Sequence, residues 1–467
     1  MSATAAQVPA PGPERSFAAS VKAFTRPHTL LMLMLGFSAG LPFLLTQRTL
    51  ATWLRLSGVD LKTITLASLV GSTYSFKFLW APLLDHLKLP GLNARLGRRR
   101  SWMLVAQGII IIGLVGLSQQ NPGAGLTHVI LFALIVAFGS ATQDIAVDAW
   151  RIEAAPVEEQ GAMAAAYQLG YRIALIVADA GALTISANAP WSLAYLVMAV
   201  LMGVGITAAL LSPRLAEPDG HAAGEETVAG FTRRFGAPGR ALAWLYRAVV
   251  APFLDFVATY RWVALALLVM IGLFRIPDFA IGTLARTMYL DVGFTREQIA
   301  AVSGFYGPWI GIAGALTAGA LIPRLGLMPV MIIGGTIGAA SNLFFAWVAA
   351  DALPDTWRLV VTISADNFSG GFAGTALIAF MSSLVNRGFT ATQYALFSSF
   401  YSMPGDILQA FSGTLVQAPP DGYGWGYPAF FVFTASMGIP AVALTLLVMW
   451  LRRRESLDRP ADDTRTA

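Results

Sequence analysis

About twelve stretches of this chain are apolar and close to the ~20 residues that a helix needs to cross a bilayer, and only a polytopic membrane bundle accommodates them all. They run roughly 28–54, 63–84, 101–118, 127–149, 161–187, 191–211, 261–289, 296–322, 328–350, 357–385, 391–416 and 427–451. The runs are continuous rather than alternating segments of about ten residues, so helices are expected and not a β-barrel. Charged residues make up 12% of the 467 positions, against about 25% in a soluble domain.

Charge inside these stretches narrows the function. Arg48, Lys77, Asp144, Arg172, Asp179, Arg275, Asp278, Asp366 and Asp406 interrupt runs otherwise long enough to span. A charge at the bilayer centre costs at least about 2.5–3.5 kcal/mol on insertion scales, so such residues face a protein interior or a watery pathway. A chain that moves solute across the membrane has a use for them. A membrane enzyme would want a nucleophile–base pair or a metal cluster, and a scaffold has little use for midplane charge. The chain has no cysteine, and His28, His86, His128 and His221 form no metal-ligand spacing. No cofactor is therefore expected.

The net charge of +5 is not a nucleic-acid signature, because of where the cations fall. They cluster in the N-terminal tail (Arg15, Lys22, Arg26), the second loop (Lys88, Arg95, Arg98, Arg99, Arg100), the central loop and the C-terminal tail (Arg452, Arg453, Arg454). The loops 119–126, 188–190 and 418–426 carry no Lys or Arg. This alternation is the positive-inside pattern and places both termini and the central loop in the cytoplasm. No short apolar core with a small-residue cleavage site precedes the first stretch, so no cleavable signal peptide is expected.

The expected organisation is a disordered cytoplasmic tail (1–27), a six-helix bundle (28–211), a cytoplasmic linker (212–260), a second six-helix bundle (261–451) and a short tail (452–467). In the linker, Arg240, Arg247 and Asp255 fall on one helical stripe among Trp244, Leu245, Val249, Phe253 and Phe256. That pattern fits an amphipathic helix at the membrane surface or an ordinary packing helix. The halves resemble diverged repeats. Ala81-Pro82 to Asp85 and Leu96-Gly97-Arg98-Arg99-Arg100 in the first correspond to Leu321-Ile-Pro323-Arg324-Leu325-Gly326 in the second. Carriers built from two related halves hold substrate near the midplane between them.

Individual residues then take candidate roles. Asp85 followed by Gly97, Arg98 and Arg99 resembles the loop signature of the major facilitator superfamily, in which a carboxylate pairs across a loop with arginine and latches that side. Membrane anchoring alone is the other reading of the arginines. Ser140, Asp144, Asp148 and Arg151 share one helical face. Asp148 and Arg151 fit an ion pair near the cytoplasmic end and a gating role. Asp144 lies deeper and is either a proton relay or half of a buried salt bridge to Lys77 or Arg172; Asp278, Asp366 and Asp406 are rival proton carriers. Gln168, Tyr171, Arg172 and Asp179 form a polar stripe, as do Ser399, Ser402, Asp406 and Gln409. Arg275 and Asp278 are i, i+3 neighbours around Pro277, able to neutralise each other. Tyr74, Trp80, Tyr167, Tyr171, Phe305, Tyr306, Trp309, Phe372 and Tyr401 are available to stack on sugar rings or simply to pack helices. Gly36 and Gly40 make a small-xxx-small contact that favours close packing.

Several strings taken together are similar to the AmpG muropeptide permease family. They are Gly36-Phe-Ser-Ala-Gly40-Leu-Pro42, Asp60-Leu-Lys-Thr63, Phe76-Lys77-Phe-Leu-Trp80-Ala-Pro82, Gln143-Asp144-Ile, Asp148-Ala-Trp150, Arg275 with Asp278-Phe-Ala, Asp366-Asn367 with Gly370-Gly371, and Phe389-Thr-Ala-Thr-Gln393-Tyr-Ala-Leu. The resemblance runs from the first span to the last. It implies a bacterial inner-membrane carrier of the major facilitator type that imports anhydro-muropeptides, with the proton gradient as the energy source, for peptidoglycan recycling, linked to β-lactamase induction. It also implies that Asp144 is needed for transport, with Arg275 and Asp366 standing where Lys and Glu are expected. Arg48, Lys77, Gln143, Gln168, Tyr171, Arg172, Arg275, Asn367 and Gln393 are the expected contacts to an anionic sugar-peptide substrate. Protons and the lipid bilayer are the other partners, and a monomer is expected. The alternative substrate is another anionic solute, such as a coenzyme ester or a siderophore.

Overall fold

The computed structural model describes residues 25–59, 63–64, 67–215, 246, 250–281, 284–350, 354–417 and 423–457. The expected N-terminal tail, most of the central linker and the last residues of the C-terminal tail lie outside them. Among the described residues, nine helices are long and apolar enough to cross a membrane. Two further expected spans, Thr356–Leu384 and Thr390–Val416, are helices of 29 and 27 residues, long enough at 1.5 Å per residue but more polar. The stretch 63–84 is not one helix. Its described part breaks into Ser68–Gly71, Ser72–Ser75, Lys77–Leu79 and Ala81–His86. Serine and glycine there compete with or loosen the helical backbone, and Pro82 opens the last piece.

The described residues form two compact units, one of those up to 256 together with 381–399 and one of 257–380 with those from 400 onward. Residues 381–399 were expected in the second bundle but cluster with the first, held there by Asp85 and Arg151 as described below.

In the first unit the helices are α1 (Pro27–Thr46), α2 (Arg48–Leu56), α3 (Ser72–Ser75), α4 (Ala81–His86), α5 (Leu92–Leu96), α6 (Arg98–Ser118), α7 (Thr127–Ala154), α8 (Val157–Ile176), α9 (Ala182–Asn188), α10 (Trp191–Leu201), α11 (Gly203–Leu211) and the start of α12 (Ala251–Tyr260). Lipid tails are as apolar as leucine, so helices associate through close packing and small residues rather than by escaping water. The α1–α8 contact follows this rule. A side chain at Gly36 would strike the Tyr167 carbonyl, one at Gly170 the Leu33 carbonyl, and one at Gly40 would lie 2.6 Å from the Tyr171 carbonyl. Between α8 and α9 the backbone widens into a π-turn, Val177–Gly181, and Thr49 Oγ1 donates to the Ala178 carbonyl there (3.0 Å).

The second unit contains α13 (Val263–Phe274), α14 (Ile276–Ile281), α15 (Leu284–Val292), α16 (Arg296–Ile299), α17 (Gly307–Leu325), α18 (Leu327–Ala350), most of α19 (Thr356–Leu384), the later part of α20 (Thr390–Val416), α21 (Gly426–Ser436) and α22 (Gly438–Leu457). The span that holds Pro277 is interrupted at Arg275, whose φ is −108° and ψ 5°. Just past the break, Asn342 Nδ2 donates to the Pro277 carbonyl (3.1 Å) and to Thr434 Oγ1 (2.9 Å). Glycine again permits contact. Side chains at Gly314 and Gly371 would strike the carbonyls of Phe368 and Gly311.

One local feature occurs in both halves. Gly97 (φ 79°, ψ 165°) precedes α6, and Gly326 (φ 83°, ψ 163°) follows α17. Only glycine adopts this backbone readily, and the two turns are the links in which the sequence halves resemble each other. Of the linker stripe, residues 240–245 and 247–249 lie outside the described residues. Its end is helical as α12, with Pro252 and Phe256 buried and Phe253, Leu254 and Val257 exposed.

The α1–α8 seam yields a stability prediction. Gly170→Leu is expected to lower the apparent unfolding midpoint in detergent, through overpacking of about 1–3 kcal/mol or more. Gly108→Ala in α6, where an added Cβ meets nothing within 4 Å, is expected to be neutral or slightly stabilising. Thermal-shift measurements on the two variants check both.

Candidate functional site

Three groups of polar side chains lie inside the helices. The first sits at the basic-loop end of the first unit. Asp85, at the end of α4, has a fully buried carboxylate. Its Oδ1 accepts from Arg99 Nη2 (2.8 Å) and from the Ala391 backbone N–H (3.1 Å). Its Oδ2 accepts from the Thr392 N–H (2.8 Å) and hydroxyl (2.7 Å). Ala391 and Thr392 open α20, so an acidic side chain distant in sequence caps the electropositive end of a 27-residue helix, where free N–H groups and the helix dipole both favour an anion. Arg99 also meets Glu153 (2.5 Å) and donates to the Leu84 carbonyl (3.1 Å). Arg98 donates to the Asp85 main-chain carbonyl instead. Burial alone would push the Asp85 carboxyl up, but Arg99 and the Thr392 hydrogen bonds hold it below the usual carboxylate range.

Beside it, Arg151 of α7 is fully buried. It meets Asp148 (3.3 Å), Gln160 Oε1 (3.1 Å) and Ser382 Oγ (2.8 Å), and its guanidinium lies 5.1 Å from the centre of the Tyr394 ring. The pairing of Asp148 with Arg151 follows their i, i+3 spacing. Their depth and the hold on residues 382 and 394 do not. Glu153, Gln160, Ser382 and Thr392 were not anticipated, since nothing local in sequence points from one to another. The same holds for Glu159, which ties Arg26 (2.6 Å) and His28 (2.7 Å) to the start of α8.

The second group lies deeper in the same unit. Asp144 is half-buried on α7; its Oδ1 is shielded from solvent and makes no hydrogen bond among the described residues. Lys77, in the turn before α4, and Asp148 act on it electrostatically. Next to Asp144, Gln143 accepts a hydrogen bond from Ser38 of α1 (2.9 Å) and so joins two helices. A run of aromatic rings crosses this region. Tyr74 meets Phe43 edge-on at 5.3 Å, Phe43 lies 6.3 Å from Tyr171, and Tyr171 lies 5.9 Å from Tyr167. Tyr167 is itself within the field of Asp144. Gln168, Tyr171 and Arg172 are half-buried on α8. Arg48, at the break between α1 and α2, pairs with Asp179 in the π-turn (3.5 Å). Trp80 serves packing instead, donating to Thr142 Oγ1 (3.1 Å) beside Phe138.

The third group is in the second unit. Arg275 pairs with Asp278 (2.7 Å), donates to the Gly370 carbonyl (3.3 Å) and lies 5.5 Å from the centre of the Phe279 ring. Asp366 and Asn367 follow on α19. Asn367 Nδ2 donates to the Ile363 carbonyl (3.1 Å) and lies 3.5 Å from Asp366 Oδ2. The side chain of Asp406 lies outside the described residues. Gln393, expected among the substrate contacts, is 2% exposed and belongs elsewhere. Its amide is fully engaged by Asn386, Pro252 and Asp255, because it sits in the first turn of α20 where the linker helix docks.

These contacts predict how the first group responds to substitution and to pH. Asp85→Asn removes the charge that answers Arg99 and one of the acceptors at the start of α20, a loss on the order of 2 kcal/mol. A carboxyl held below its ordinary value contributes fully above that value, and the contribution fades as pH falls through the lowered one. The gap in unfolding midpoint between the parent chain and Asp85→Asn is therefore expected to stay constant from pH 7 to pH 5. It should close only below the usual carboxylate range. A gap that already closes near pH 5 would show that Asp85 is not held in this way.

The family model for the Major Facilitator Superfamily matches residues 29–408. The anhydromuropeptide permease of Escherichia coli (strain K12) is 33% identical over 429 residues, covering 91% of this chain and 81% of the relative. A putative transporter AmpG 4 of Rickettsia felis is 29% identical over 423 residues, with 90% and 95% covered. Among solved structures, the proton:xylose symporter XylE aligns with a TM-score of 0.61 at 14% identity, covering 93% of this chain and 96% of that one. The human organic anion transporter MFSD10 aligns with a TM-score of 0.56 at 14% identity, covering 91% and 98%. At that identity the structural likeness speaks for the fold alone.

Proposed function

We propose a function from one premise: the chain belongs to the major facilitator superfamily and, within it, to the anhydromuropeptide permease family, and is a multi-pass membrane transporter rather than an enzyme. It imports anhydro-muropeptides, GlcNAc-anhydroMurNAc units with or without a stem peptide, from periplasm to cytoplasm. Proton movement down its gradient drives the import, which serves peptidoglycan recycling and, through it, β-lactamase induction. The chain works as a monomer in the bacterial inner membrane and uses no cofactor. The basic-loop end and both termini face the cytoplasm, as the positive-inside pattern supports.

The observation that carries this reading is the second polar group. A platform of Tyr74, Phe43, Tyr171 and Tyr167 stands beside Asp144 and Lys77, and aromatic walls with a few placed charges are what a sugar carrying carboxylates requires. Lys77 offers a point charge, while Arg48, Arg172 and Arg275 offer bidentate recognition. Arg48 and Arg275 already hold Asp179 and Asp278, so substrate carboxylates must take them from those partners. Asp144 is the coupling carboxylate. Asp278 is ion-paired with Arg275 from its own segment, whereas the cation that acts on Asp144, Lys77, comes from a different one.

Uptake of labelled anhydro-muropeptide by reconstituted protein, with and without an imposed pH gradient, tests the proposal. Accumulation is expected only with the gradient, and Asp144→Asn is expected to abolish it while keeping exchange of labelled for unlabelled fragment. Normal accumulation by Asp144→Asn would remove Asp144 from the coupling step. Failure of unlabelled anhydro-muropeptide to compete with another anionic solute that is accumulated would assign the carrier to that solute.

A further inference from the structure

The segment joining α19 to α20 is held by two carboxylates. Asp85 grips the first turn of α20 as described above. Asp255 of the linker helix α12 grips the same segment a few residues away. Its two oxygens accept from the Asn386 side-chain amide (3.1 and 3.0 Å), and Oδ2 also accepts from Gln393 Nε2 (3.0 Å). The orientation of the Gln393 amide is fixed by its other partners. Oε1 accepts the Asn386 backbone N–H (2.7 Å), and Nε2 donates to the Pro252 carbonyl (3.0 Å). Phe256 completes the junction edge-on to Phe397 at 5.1 Å, and both rings are buried. A helix lying at a membrane surface is retained by its apolar face. It does not need an acid that reaches into the start of another helix.

We propose that Asp255 is a gating residue, a second clasp on residues 386–393 that must open before α20 can leave the cytoplasmic side of the first unit. The inference rests on the carrier reading, since a carrier has to open that side to release its cargo. The linker then acts as part of the gate and not as a passive tether. Hydrogen bonds to a carboxylate are about twice as strong as neutral ones. Removing Asp255 also leaves Gln393 Nε2 with the Pro252 carbonyl as its one acceptor and its second N–H unanswered, which shifts the balance toward the released state.

The test reads release directly and needs no substrate. The chain has no cysteine, so Ala395→Cys adds the sole thiol. Ala395 is 1% exposed and packs with Met32, Leu35, Ala81 and Leu84, so it becomes reachable only when α20 moves away. In full-length protein in proteoliposomes, adding Asp255→Ala is expected to accelerate maleimide alkylation of the Ala395→Cys thiol about tenfold, with Asp85→Asn as the reference for a loosened grip. Asn386→Ala breaks the same clasp from its other partner and is expected to do likewise, which covers an Asp255→Ala chain that does not fold. An unchanged alkylation rate in whichever of these variants folds overturns the proposal, even if the unfolding midpoint drops, because the clasp is then only structural. Loss of anhydro-muropeptide uptake by the parent chain would overturn the substrate reading and leave this result standing.

Discussion

A charge shielded from water is costly unless other protein groups answer it. The environment of Asp85 shows how completely that can be done. One carboxylate meets a guanidinium, two backbone N–H groups and a hydroxyl, and the cation it faces is shared with Glu153. The first unit takes its composition from this requirement. Residues 381–399 belong to it because Asp85 and Arg151 hold them, although in sequence they lie far from both.

The two units answer their deeper charges differently. In the second, Arg275 and Asp278 come from one short segment and neutralise each other beside the break at Arg275. In the first, the cation that acts on Asp144 is Lys77, from another element. A self-paired couple is insensitive to what its neighbours do. A carboxylate whose counter-charge arrives on a separate, interrupted stretch of backbone is sensitive to any movement of that stretch. In the proposed proton-coupled import, this asymmetry favours the first unit as the place where proton and solute binding meet.

Much of this was legible in the sequence, for reasons that differ from residue to residue. Apolar length revealed the helices. It overestimated the continuity of 63–84, where Gly71, Ser72, Ser75 and Pro82 break a run that hydropathy alone joins. Local pairs such as Asp148 with Arg151 and Arg275 with Asp278 follow from helical spacing. The glycines of α1 announced a close contact but not its partner. Long-range partners carried no local signal. That Arg99 rather than Arg98 takes the Asp85 carboxylate, that Glu153 shares Arg99, and that Thr392 closes the carboxylate depend on how α4, α6, α7 and α20 meet. Gln393 carried no local signal of its partners either: it stands in a distinctive string that suggested a ligand contact, and in this structure its amide meets Asn386 and the linker helix.

The glycine seam between α1 and α8 has a mechanical consequence. With the carbonyls of Leu33, Tyr167 and Tyr171 pressed against Gly170, Gly36 and Gly40, these two helices interlock like teeth. Sliding either by one residue, about 1.5 Å, would bring a Cβ onto a carbonyl. Relative creep along the seam is therefore forbidden, and the pair behaves as a single stiff strut. Any displacement that carries Tyr171 must swing the whole strut, so deformation concentrates where the backbone is already interrupted, at Gln47 and at the π-turn beside it.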